Sequence, residues 1–310
     1  MDKYVSIVMC TYNGSKYLAE QLESIVNQDY RPIEMVVVDD CSTDNTWQIL
    51  QGWQSKYPFF RIFQNESNLG YNKNFEKAIQ LATGEYIALS DQDDIWMPDK
   101  ISLLVAAMQA KPDAVLAHSK NVAMENGILK YNHANLRNFF EGTDLRKLFL
   151  HSQFSGHAIL FKTSLVPSLV PFPEGIIYDW WISVNACAAG SIVFVDKILV
   201  HHRVHDSNAT KQLSKTNLTS SLDIDQILAL FLTINDMQPT HKLFLEQLIA
   251  VFKAHELKSV GTIDWDFFFF FLKNRKIIYA HKKRKLPIIS QVKHACRLAK
   301  KNFRGAGGEI

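Results

Sequence analysis

A chain of 310 residues, 47% hydrophobic and 21% charged, is long enough to bury a substantial core and too apolar to be a disordered segment. Its formal net charge of +3 conceals an asymmetry, because residues 267–308 carry 12 Lys and Arg and no acid. The remaining 22 basic and 31 acidic residues leave about −9 elsewhere, so a mildly acidic body carries a basic tail.

Up to residue 117 the sequence alternates between two periodicities. YVSIVM (Tyr4–Met9), IEMVVVD (Ile33–Asp39), FFRIFQ (Phe59–Gln64), YIALS (Tyr86–Ser90) and AVLA (Ala114–Ala117) read as short strands. Between them lie stretches with helical spacing, marked by Leu18, Leu22 and Ile25, by Ile79, Leu81 and Ala82, and by Leu103, Leu104 and Met108 after Pro98. Such alternation predicts parallel strands joined by crossovers, hence a doubly wound α/β sheet with helices on both faces. Ligands then bind beyond the carboxyl ends of the strands, which brings together CTYNG, DDCSTD and SDQDD.

Residues 121–200 mix loops, a helix predicted near Asp144–His151, and the strands HAILFK and SIVFVDKILV. From Leu218 the spacing becomes helical, in IDQILALFL and HKLFLEQLIAVFKAHEL. The expected division is a nucleotide-binding and catalytic domain over 1–217 and a helical, basic region over 218–310. Cys10, Cys41, Cys187 and Cys296 form no CxxC pair, which argues against a zinc site or a disulfide framework and fits a reducing cytosol. No charged leader with an apolar stretch opens the sequence, and no apolar run is long enough to span a bilayer.

The chemistry concentrates in three segments. In SDQDD, Asp91, Asp93 and Asp94 crowd three carboxylates at a strand end, a repulsion that a divalent cation relieves. Oxygen ligands of this kind suit Mg²⁺ or Mn²⁺ shared with substrate phosphates. The alternative is a solvated acidic turn with Asp94 or Asp99 capping the next helix. In DDCSTD, Ser42, Thr43 or Asp44 suits a helix cap, whereas Asp39 or Asp40 has a carboxylate able to accept a pyrimidine ring N–H. In CTYNG, Tyr12 beside Thr11 offers a ring that either stacks on a base or packs.

VSIVMCTYNGSKYLAEQLESIVNQDY, VVVDDCSTDNT, NLGYNKNF, GEYIALSDQDDIWMPDK and IYDWW, in this order, resemble glycosyltransferase family 2, particularly its rhamnosyltransferase-like bacterial members. The resemblance covers about residues 4–210 and implies the GT-A fold, an inverting transfer from a nucleotide-diphosphate sugar, and an Mg²⁺ or Mn²⁺ cofactor. It implies Asp179 as catalytic base, and Tyr12, Asp40 and Asp91 on the donor; beside these, Thr11 joins the donor side by its place in CTYNG, Arg203 has a charge suited to the leaving diphosphate, and Lys73 either reaches a phosphate or is an exposed helix lysine. The resemblance implies Asp93, Asp94 and His205 at the metal, and Gly156 by the acceptor, while the Trp180 and Trp181 rings after Asp179 either pack against an acceptor sugar face or lie in the core. Cys41 departs from the family's usual glycine.

A nucleotidyltransferase would show a Gly-rich phosphate loop with Arg and Lys after the first strand, and CTYNGSKY lacks it. A non-catalytic sugar-nucleotide subunit is the remaining alternative, and it would need no base at Asp179. The resemblance favours a dTDP- or UDP-sugar and a glycan or lipid-linked acceptor of surface polysaccharide. The basic tail with its aromatic run reads either as a helical bundle whose Phe267–Phe271 pack on the core and whose lysines are solvated, or as an attachment to an anionic membrane surface on the cytoplasmic side, and a nucleic-acid arm would have no obvious use.

Overall fold

The computed structural model describes residues 3–131, 138–206, 208, 224–259, 261–283 and 287–300. Strands β1 (Val5–Thr11), β2 (Ile33–Asp39), β3 (Phe60–Gln64) and β4 (Tyr86–Ser90) alternate with helices α1 (Leu18–Val26), α2 (Thr46–Lys56) and α3 (Tyr71–Gln80). There follow β5 (Ile95–Trp96), α4 (Lys100–Ala110), β6 (Ala114–Glu125), β7 (Ile128–Lys130), β8 (Ile159–Lys162), α5 (Val166–Leu169), α6 (Tyr178–Ala189) and β9 (Ser191–Arg203). The sheet order is β3-β2-β1-β4-β8-β6-β9-β5, with β7 paired to β6.

The first four strands pair in parallel, as the alternation of strands and helices predicts. Beyond β4 the sheet is mixed: β8 runs antiparallel to both β4 and β6, and β9 runs parallel to β6. The strand period of two explains why both faces are covered. Val5, Ile7 and Met9 of β1 join Met35 and Val37 of β2 against Leu18, Leu22 and Leu104. Val8, Val36 and Val38 point the other way and pack with Phe75, Ile79 and Ile182.

The helix expected near Asp144–His151 is a short 3-10 turn, Leu145–Leu148. Its first acid, Asp144, is held by Arg146 at 2.7 Å instead of capping a longer helix. Helix α6 has a weak sequence signal because eight of its twelve residues are buried, so no polar face marks its period.

The C-terminal region forms α7 (Ile224–Phe231), α8 (Pro239–Glu256), α9 (Trp265–Lys273), α10 (Arg275–Ile278) and α11 (Pro287–Ala299). The boundary expected near Asn217 lies outside the described residues. These helices share one apolar cluster with the α3–α6 face of the sheet. Phe231 packs on Phe149 at 6.0 Å and Trp180 at 5.5 Å, and Phe149 also meets Phe244 at 6.4 Å. Within the aromatic run, Phe267, Phe268 and Phe271 are buried and Phe269 is 58% exposed.

Candidate active site

The three acidic or polar loops meet where β1, β2 and β4 end. Thr11, the last residue of β1, is buried and donates its hydroxyl to Asp39 Oδ1 at 2.8 Å. Ser42 and Gln64 complete the ring of donors around Asp39. Asp40 is 3% exposed, and its oxygens accept from Asn65 Nδ2 and from the main-chain N–H groups of Leu69 and Gly70, at 2.7–2.9 Å. Its carboxylate is therefore engaged with the loop that enters α3.

Tyr12 is exposed, as an available stacking ring must be. Asp44 closes the turn before α2 by accepting from Thr46, and reaches across to the N–H of Ser15. Cys41 takes the left-handed conformation, φ 62°, which a glycine adopts at least cost.

The acids of the SDQDD loop separate into two groups. Asp93 Oδ2 lies 2.8 Å from His205 Nε2, with Asn208 Nδ2 at 3.4 Å. Burial, with the charges of Asp91 and Asp94, pushes the Asp93 carboxyl up to about 6, against the pull of His205. Excess negative charge beside one imidazole and one carboxylate oxygen fits a divalent cation that takes its other ligands from phosphate and water. Arg203 frames this group, since its Nε donates to Asp93 O at 2.8 Å, its guanidinium covers the Tyr17 ring at 4.5 Å, and it pairs with Glu20.

Asp94 is fully buried and faces other partners: His202 Nδ1 at 3.2 Å, the Arg203 N–H at 3.0 Å and His157 Nδ1 at 3.2 Å. Burial alone would raise the Asp94 carboxyl, but His157, His202 and the Arg203 N–H together hold it below the usual range. Burial alone would lower His202, yet the Asp94 hydrogen bond and the three carboxylates hold it up at about 9. His157 and His202 were not among the residues picked out by sequence. Among the described residues, Asp91, Asp94, His157 and His202 form the one group whose donor atoms could hold a metal.

Asp179 lies in the first turn of α6, and its Oδ1 is buried without a hydrogen-bond partner. Burial pushes this carboxyl up to about 6, aided by the charge of Asp91, while the N–H dipoles of Trp180 and Gly156 and the charge of His157 oppose the rise. A Cβ on Gly156 would stand 2.2 Å from Tyr178 Oη, so only glycine lets this turn approach the start of α6.

The other acceptor-side and donor-side residues have structural partners. Trp180 and Trp181 donate their indole N–H to Leu148 O and Leu169 O, and Trp181 is buried in the core. Lys73 pairs with Glu76 on the surface of α3. Lys100, which sequence did not single out, is fully buried, with Nζ donating to His157 O at 2.6 Å and lying 3.1 Å from the Trp96 ring centre. Burial holds its ammonium well below the usual lysine range.

A sheet whose first four strands are parallel, with acids gathered at their carboxyl ends and helices on both faces, is of the GT-A class of nucleotide-sugar-binding folds. The sequence profile of the family described as Glycosyl transferase family 2 matches residues 6–169, and the chain belongs to that family. An uncharacterised glycosyltransferase of Methanocaldococcus jannaschii is 31% identical over 232 residues, 71% of this chain and 78% of the relative. The first curated relatives it matches are spanned over 59% of their own length.

Two solved structures share the fold. The mannosyltransferase PcManGT from Pyrobaculum calidifontis, in complex with GDP-Man and Mn²⁺, superposes with a TM-score of 0.60 at 20% identity, over 84% of this chain and 77% of its own. Residues 1–349 of S. aureus TarS, in complex with UDP-GlcNAc, superpose with a TM-score of 0.57 at 22% identity, over 96% and 93%.

Proposed function

We propose that the chain is an inverting, cation-dependent glycosyltransferase. In this reading it moves rhamnose or another hexose from a dTDP- or UDP-sugar to a hydroxyl of a glycan or lipid-linked acceptor in surface polysaccharide synthesis. The observation that carries the reading is Asp179, a half-buried residue whose Oδ1 is buried without a hydrogen-bond partner and whose affinity for protons is raised to about 6. A sugar hydroxyl is a weak nucleophile, and a carboxylate of this kind takes its proton as the new glycosidic bond forms. The nucleotide diphosphate departs from the opposite face of the anomeric carbon, which inverts its configuration.

Asp93 and His205 would hold the cation, with Asp91 towards the ribose. The cation would neutralise charge on the leaving diphosphate. Arg203 supplies a fixed positive charge beside the same group. Tyr12 would stack on the base, near the loop that Asp40 anchors. The pyrimidine preference rests on the family resemblance, and PcManGT with its GDP-Man makes guanosine the informative competitor.

The deciding experiment incubates the protein with dTDP-, UDP- and GDP-sugars in Mn²⁺ or Mg²⁺ and follows nucleotide diphosphate release and thermal stabilisation. Release from a pyrimidine donor, with a ligand at 100 times its Kd stabilising by about 2.7 kcal/mol, supports the reading. Preference for GDP-sugars overturns the base assignment, and binding without release favours a non-catalytic subunit.

A second element concerns attachment to an anionic membrane surface on the cytoplasmic side. No helix of the described residues is long and apolar enough to cross a membrane. Trp265 and Phe269, one helical turn apart on α9, are 57% and 58% exposed beside the basic C-terminal region. Such a pairing of aromatics and cations suits a headgroup layer. Truncation after Asp264 would also remove the buried Phe267, Phe268 and Phe271, so Trp265→Ala with Phe269→Ala is the cleaner variant. Unchanged co-sedimentation of that variant with anionic vesicles removes the claim.

A further inference from the structure

The helix that carries Asp179 starts without a cap of its own. The first N–H groups of a helix have no partner one turn back, and Ile177, at the cap position of α6, has no side-chain oxygen to offer. The acceptor comes instead from α3, where Asn72 Oδ1 accepts from the Tyr178 N–H at 3.1 Å. The other end of the same amide donates, from Asn72 Nδ2 to Ile176 O at 2.7 Å. A donor on one side and an acceptor on the other settle which way this amide points.

Two rings from the same stretch of α3 hold the same place. Phe75 stacks on Tyr178 with ring centroids 4.3 Å apart, and Tyr71 meets it edge-on at 6.3 Å. The start of α3 is in turn fixed from the donor side. Asp40 accepts from the N–H groups of Leu69 and Gly70, and Asn74 Nδ2 donates to Val38 O at 2.9 Å. A chain of contacts thus runs from the end of β2 through α3 to the residue that precedes Asp179.

We propose that Asn72 is a positioning residue for the transfer: its amide sets the first turn of α6, and with it the Asp179 carboxylate, against the donor loops. The inference rests on the reading of Asp179 as the base. Both hydrogen bonds of Asn72 go to main chain on either side of Ile177, so its effect reaches the reacting atoms through Asp179.

The chemistry of the amide explains why asparagine stands here. An aspartate would keep the acceptor for Tyr178 but set a carboxylate oxygen against Ile176 O, and an alanine would leave both main-chain groups without this partner. A base must stand within hydrogen-bond reach of the hydroxyl it deprotonates, and a misplacement of about 1 Å costs about a hundredfold in rate.

The test compares full-length wild type, Asn72→Ala, Asp179→Asn and the double variant, by nucleotide diphosphate release from dTDP-rhamnose and UDP-GlcNAc in Mn²⁺. Asn72→Ala should lower kcat by about tenfold to a hundredfold, with the Kd for the released nucleotide changed by less than about twofold. In the Asp179→Asn background the same change should cost less than about twofold, because the group it positions is gone. Losses that multiply across the two backgrounds overturn the proposal, and so does a fall in nucleotide affinity that accounts for the lost rate. A readout without turnover is amide hydrogen exchange over residues 176–181, which Asn72→Ala should accelerate by about tenfold. Unchanged exchange there also overturns the proposal. Normal turnover in Asp179→Asn would overturn the base reading and the catalytic role of Asn72 with it, whereas accelerated exchange would still show its hold on α6. If Asn72→Ala fails to fold by circular dichroism, Asn72→Asp, nearly equal in volume, is carried through the same cycle with the same expectations.

Discussion

Gln92 and Tyr12 are joined in both directions. The Gln92 amide donates to Tyr12 O at 3.0 Å, and the Tyr12 N–H donates to Gln92 Oε1 at 3.0 Å. The residue between two site acids thus braces the loop that presents the aromatic ring. Gly14 makes room for it, since a Cβ there would lie 2.1 Å from Gln92 Oε1.

Gln92→Ala should loosen that loop without touching the core. With two hydrogen bonds of about 0.5–1.5 kcal/mol each at stake, donor affinity should fall about tenfold. Calorimetric titration with UDP or dTDP checks this, and an unchanged Kd would show that the brace is irrelevant to the donor.

Asp179→Asn should lower turnover by about 10²–10⁴-fold while donor binding survives. The same change should stabilise the protein at neutral pH. A folded-state affinity raised to about 6 means the protonated form is favoured on folding. Its contribution is full below the unfolded value near 4 and is lost as pH rises through 6, so above 6 the buried charge is a burden. The asparagine removes that burden, on the order of 2–3 kcal/mol at pH 8, and should give no gain below pH 4. Thermal melts at the two pH values check the sign, and a gain at both would mean the carboxyl is not the cause. In wild type, kcat/KM should fall as pH drops through about 6.

Chelation should abolish transfer, and added Mn²⁺ or Mg²⁺ should restore it. Asp93→Ala should not be restored by either ion, because its oxygen beside His205 is lost. Full activity in excess chelator would refute cation dependence.

Cys41→Gly should stabilise the fold. The left-handed backbone costs a side-chain-bearing residue about 1–2 kcal/mol, and glycine returns part of this as unfolded-state entropy. A net gain of about 0.5–1 kcal/mol in urea unfolding is expected. The Cys41→Val variant should be less stable than wild type.

The sequence by itself determined the alternation of β1 to β4 with α1 and α3, because a period of two and a period near four are local properties of side-chain direction. It also determined the family, through an ordered set of loops whose acids all fall at strand ends. It missed α6, where burial all round leaves no polar face to count, and it took a short 3-10 turn near residue 145 for a helix. Only the tertiary structure brought His157 to Asp91, 66 residues away, and His202 to Asp94, 108 residues away. Only it gave Trp180 and Trp181 their partners in the core and engaged Asp40 with the next loop. Burial and long-range hydrogen bonding decide whether an acid or an indole meets a ligand or a neighbour, and neither has a period along the chain.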